Sequence, residues 1–170
     1  MSQPKWPKNQ LTVSAGNLPA ALQAMVKTAC AKVQANSGLT FTFSTTQSGD
    51  IAFWLDPQHA TCAAFEMALT TIQAPNGIIS NAQVALNPDC APCQAVIDHE
   101  LVNCLGFPER YVQTPPSIFN EIIDPAAADV VPTAADAAII LATYPRVPAP
   151  PAPVKKPVQP QPVKAPVGRH

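Results

Sequence analysis

Charge is scarce in this chain: Asp, Glu, Lys and Arg make up 12% of its 170 residues. With 47% hydrophobic residues, that composition excludes a chain held open by self-repulsion and leaves enough apolar material for one ordinary core. Glycine is scarce too, at six residues. There is no glycine-rich phosphate loop, no Gly-x-Ser-x-Gly elbow and no patch of basic and aromatic residues in the body, so nucleotide and nucleic-acid functions are disfavoured. No segment approaches the ~20 apolar residues that span a bilayer, so no membrane partner is expected. The opening Met1-Ser-Gln-Pro-Lys-Trp-Pro-Lys8 lacks the apolar run of a signal peptide. This implies a cytoplasmic or virion-associated chain, or one already processed.

Proline, by contrast, is abundant, at 21 residues, and unevenly spread. Residues 145–170 hold nine prolines and five basic residues (Arg146, Lys155, Lys156, Lys164, Arg169) but no acid. Residues 1–144 keep the other five Lys and Arg and all eleven acids, so a body of −6 carries a tail of +5. The expected organisation is a folded domain over 1–144 and a Pro-rich basic tail over 145–170, extended in polyproline II. Such asymmetry suggests a tail that binds something, its own body or a protein neighbour; a solvated linker is the other reading.

Within the body, Leu11–Val13 reads as a short strand. Leu18, Leu22, Met25, Val26, Ala29 and Val33 recur by threes and fours, as one face of a helix ending near Ser37-Gly38 does. Leu39–Ser44 alternates like a half-buried strand, and Ile51–Leu55 is a continuous apolar run suited to a central one. Ala68–Ile72 suits an edge strand, Pro75-Asn76-Gly77 a turn, and Ile78–Asn87 a further strand. Pro92 fits a first helical turn, and Val96, Ile97, Leu101, Cys104 and Leu105 carry one helix face to a stop at Gly106. Thr133 with Asp136 three residues on is a cap for a last helix, in which Ile139, Ile140 and Leu141 would be buried. Trp6 and Trp54 read as core anchors and Cys30 as small core filler. The sum is an α+β fold, a mixed sheet of about five strands with three helices and the tail.

The stretch Ile97-Asp-His99-Glu100-Leu-Val-Asn103-Cys104-Leu105-Gly106-Phe107 carries the most chemistry. A zinc-protease helix places two histidines at i and i+4, because one helical turn brings both imidazoles to one metal. The glutamate after the first is the general base for the metal-bound water. Here His99, Glu100 and Gly106 stand where the longer pattern HExxHxxGxxH wants them, Asn103 replaces the second histidine, and Glu109 stands at the third ligand position.

On these residues the whole of 6–144 resembles the metzincin metalloproteases, the matrixin-like members especially. Trp6-Pro7 and the first strand resemble the start of such a domain. Gly77–Asn87 resembles the strand before its active-site helix. Ser117-Ile118-Phe119-Asn120 falls where the family has its methionine turn below the zinc, with Phe119 in place of methionine, and Thr133–Pro145 resembles the closing helix. A degenerate, uncharacterised bacterial branch with a Leu-Gly helix end and a Ser-Ile-Phe turn is a closer likeness. The resemblance implies a metzincin-like fold and makes Glu100 a vestigial general base. It leaves His99 and Glu109 as remaining metal candidates, since Asn103 is a neutral amide and a poor zinc ligand.

Other readings of the same stretch stay open. His99 and Asn103 can form a hydrogen-bonded polar pair on the old site face with Glu100 partly buried, or a site can be rebuilt from His99, Glu109 and a distant group such as His59. Cys90 and Cys93 form a possible thiol pair, and with His99 and Cys104 they come within one residue of a zinc-knuckle spacing. A continuous helix would turn His99 and Cys104 apart, against the knuckle, and Cys62 could pair with either member of the thiol pair. The expectation is therefore a catalytically inactive, metzincin-like structural or interaction module without a cofactor, anchored in an assembly such as a phage virion by its tail. The alternative is an active zinc metallopeptidase using His99, Glu109 and a third ligand, with Glu100 as base.

Overall fold

A computed structural model of the chain describes residues 3–46, 48–57, 67–89, 93–108, 117–119 and 132–146. His59, Cys62, Cys90, Pro92, Glu109 and the tail beyond Arg146 lie outside the described residues, and so do the expectations resting on them. The elements are β1 (Gln10–Ser14), α1 (Ala20–Ala35), β2 (Thr40–Ser44), β3 (Ile51–Leu55), β4 (Ala68–Gln73), β5 (Asn81–Leu86), α2 (Gln94–Cys104) and α3 (Ala134–Thr143). The fold is α+β, with three helices and one five-stranded mixed sheet of order β2-β1-β3-β5-β4.

Strands β1, β2, β3 and β5 are parallel, while β4 runs antiparallel to β5 and forms an edge. The alternation in β5 is clean on one face: Ala82, Val84 and Leu86 are wholly buried. They meet Leu11, Val13, Ile51 and Phe53 in the core, each large aliphatic contributing roughly 1.5–3 kcal/mol by its removal from water. Helix α1 lies against β2 and α2 against β4 and β5, and the two helices pack on each other, so both cover the same sheet face. Asn76, at φ 57°, makes the turn between β4 and β5.

Three expectations need correction. Helix α2 is not amphipathic; every residue from Ala95 to Val102 is buried, because α1 and the sheet pack on it and Trp6 and Tyr144 close its C-terminal end. Leu141 is exposed (40%) while its neighbour Ile140 is fully buried, since successive helical residues point about 100° apart and three in a row cannot share a face. Trp54 is only partly buried, on the sheet face opposite the helices, whereas Trp6 is a true core residue.

The two ends of the body meet at the C-terminal end of α2. Trp6 donates from Nε1 to the Cys104 carbonyl (2.9 Å) and from its backbone N–H to the Tyr144 hydroxyl (3.1 Å), which itself donates to the Leu105 carbonyl (2.8 Å). Gly106 stops the helix with φ +84°, and a Cβ there would collide with the Pro4 carbonyl oxygen. Only glycine suits both the left-handed backbone and that close approach.

Candidate functional site

Helix α2 delivers the motif residues to two different surroundings. His99 is buried (4% exposed), and its Nε2 lies 3.0 Å from the Asn103 side-chain nitrogen one turn on. An amide nitrogen only donates, so the Nε2 lone pair is the acceptor, and it is this lone pair that a metal ion would need. Glu100 is also buried (8% exposed) and accepts a short hydrogen bond from the Thr70 hydroxyl of β4. Sequence reasoning missed Thr70, although its position between Ala68 and Ile72 at a spacing of two marks it as the polar member of the inward face of β4.

Between β4 and the end of α2 lies a cleft of about 640 Å³. Glu100, Asn103, Gly106, Phe107 and Pro108 form one wall and Ala68, Thr70 and Ile72 the other, with Gln3 and Pro4 across one end. Among the described residues His99 takes no part in its lining. In the antiparallel pair with β5, Asn87 donates to the Met67 carbonyl. By the alternation of such ladders the backbone groups of Ala68, Thr70 and Ile72 then face away from β5, towards the open side of the edge.

The flanking groups fix the helix. Asp98 is wholly buried and takes hydrogen bonds from Lys32 Nζ (2.6 Å) and Gln94 Nε2 (2.8 Å), which ties α2 to α1. Each carboxylate has a buried thiol near it. Burial, and then the charge of Asp98, pushes the Cys30 thiol up to about 12; burial, and then Glu100, pushes Cys104 well above its ordinary value. Both thiols are inert packing at neutral pH.

The turn Ser117–Phe119 is held by Asp136 of α3. Its carboxylate accepts from the Ser117 hydroxyl (2.6 Å) and from the backbone of Thr133 (2.9 Å), completing the expected capping box. Phe119 is buried with its ring 5.1 Å from that of Phe107, the residue after the helix-stopping glycine. Cys93 is the partly exposed N-cap of α2. His99 and Cys104 lie on one unbroken helix and are turned apart, as the case against a knuckle requires.

The described donors do not fit a catalytic zinc. One imidazole has its lone pair engaged by an amide, and the neighbouring carboxylate is held by a hydroxyl. Among the described residues no group of three His, Cys, Asp or Glu side chains converges. No described helix is long and apolar enough to cross a membrane. Comparisons with protein-family models and with curated proteins give no match to this chain.

Proposed function

We propose that this chain is a metzincin-like domain without catalytic function, working as a structural or interaction subunit of a larger assembly. A phage virion is the setting proposed, with the Pro-rich residues 145–170 as the anchor to neighbouring proteins. The observation that carries the reading is the His99–Asn103 pair: the imidazole nitrogen that would bind metal is satisfied inside the helix by the residue standing where the second histidine would be. Without a metal-bound water Glu100 has nothing to deprotonate, and its bond to Thr70 gives it a role in the cleft wall instead.

The test is the metal content of the full chain, purified without chelators or affinity-tag histidines. No zinc, even after incubation with excess metal, is the expected result. Near-stoichiometric zinc, with a peptidase activity that Glu100→Gln abolishes, would establish the alternative of a metallopeptidase with an altered ligand set.

A further inference from the structure

The sheet face turned away from the helices carries a depression of about 420 Å³. The pairing of the inner strands builds it. Ser14 of β1, Ala52 of β3 and Gln83 of β5 stand in register in one row. At the usual strand spacing Ser14 and Gln83 are roughly 10 Å apart, with only the small Ala52 side chain between them as a floor. Trp54 comes two residues later along β3 and shares that face, and Asn17, just past the end of β1, closes another side. Among its described lining residues none is charged, and its size is that of a small-molecule site.

The groups around this floor set the chemistry of what it can take. Trp54 is partly exposed, and Asn17 and Gln83 are exposed. The amides of Gln23, Gln34 and Gln94 are tied into the fold. Those of Asn17 and Gln83, like the Trp54 indole N–H, have no hydrogen-bond partner among the described residues. Strands β1, β3 and β5 are all inner strands, with their backbone groups committed to the ladders, so a ligand here is held by side chains and not by strand addition. An aliphatic ligand would strip water from the amides and the indole N–H without replacing its hydrogen bonds. A nucleotide phosphate finds no Lys or Arg among the described lining residues. A pyranose ring answers each feature. Its C–H face lies on the electron-rich indole face, and its hydroxyls, donors and acceptors at once, meet the amides at the rim.

We infer that the depression over Ala52 is a binding site for a neutral sugar ring, stacked on Trp54 and hydrogen-bonded by Gln83 and Asn17. Such a site gives the proposed interaction module a target that is not a protein. It stands apart from the metal question, because the helix carrying His99 and Glu100 packs on the other face of the sheet.

The experiment uses the full chain, isotopically labelled for NMR. It is titrated with methyl β-glucopyranoside, methyl α-mannopyranoside, methyl β-galactopyranoside and N-acetylglucosamine, and with phenol as an apolar control. The readout is the indole N–H signals of the two tryptophans. Trp6, whose indole is bonded to the Cys104 carbonyl, is the fixed reference, and Trp54→Phe assigns the other signal by deleting it. The Trp54 signal is expected to move with at least one sugar, at a dissociation constant on the order of 1 mM, while Trp6 stays in place. Gln83→Ala should weaken that binding about fivefold, the loss of one neutral hydrogen bond. Ala52→Phe, which fills the floor, should abolish it, with an unchanged Trp6 signal as the sign of an intact fold. Should Ala52→Phe fail to fold, the exposed Gln83 keeps the test intact. A Trp54 signal that none of these sugars moves, one that moves with phenol alone, or sugar binding that Gln83→Ala leaves unchanged would each overturn the inference.

Discussion

On either side of His99 stands a carboxylate, and the two lead opposite lives. Asp98 faces α1, shut away from water, and is matched by a lysine at 2.6 Å and an amide at 2.8 Å. Glu100 faces β4 at the cleft, where it accepts a hydrogen bond from the Thr70 hydroxyl. A charge with no access to water needs a full counter-charge, because desolvation penalises it by several kcal/mol. A charge on a cleft wall keeps part of its hydration and can remain available to a ligand. Along one helix, the first carboxylate ties α2 to α1 and the second ties it to β4 at the cleft wall.

The sharpest way to break this contrast is Lys32→Met, which leaves Asp98 buried without its counter-charge. Urea unfolding should then show a loss of about 3–5 kcal/mol, most of it recovered when Asp98→Leu is added. A loss under 1 kcal/mol would mean that the pair is not sealed from water.

Alkaline titration probes the thiol beside Asp98. The Cys30 pKa is raised in the folded state, so its share of stability is complete below pH 9 and is lost as pH rises from 9 through about 12. Stability should fall over that window by on the order of 4 kcal/mol from this group, and Cys30→Ala should flatten the curve there. Tyr144, also raised to about 12 by burial, adds to the decline above pH 10. The smallest effect is expected for Glu100→Gln, below about 1 kcal/mol in unfolding free energy, because the amide still accepts from Thr70 and the cleft is open to water. A large loss there would make Glu100 a second Asp98.

How much of this could be read beforehand follows from sequence distance. The strands, the α1 stripe, the turn at Asn76, the Gly106 stop and the Thr133–Asp136 cap depend on neighbours a few residues apart, and their patterns were legible. So was the His99–Asn103 pair, one helical turn long. Lys32 and Asp98 are 66 residues apart, and nothing in their local patterns says that they meet. The all-round burial of α2 was hidden for the same reason, since Trp6 and Tyr144 reach it from the two ends of the body. Thr70 had a signal in its strand period, but only the fold shows that the carboxylate it serves is Glu100.

The clasp of Trp6, Leu105 and Tyr144 also orders events in time. A ribosome makes the amino-terminal part first, yet the backbone N–H of Trp6 finds its acceptor on a residue 138 positions later. Until that tyrosine has been made, the Leu105 carbonyl at the end of α2 lacks the hydroxyl that donates to it, and the segment ahead of the first strand is held by the Trp6 indole on Cys104 and by Lys5 against Gly77 and Ile79. Non-local closure of this kind is slow. A chain stopped short of Tyr144 would lack the hydroxyl that joins the Trp6 backbone to the Leu105 carbonyl.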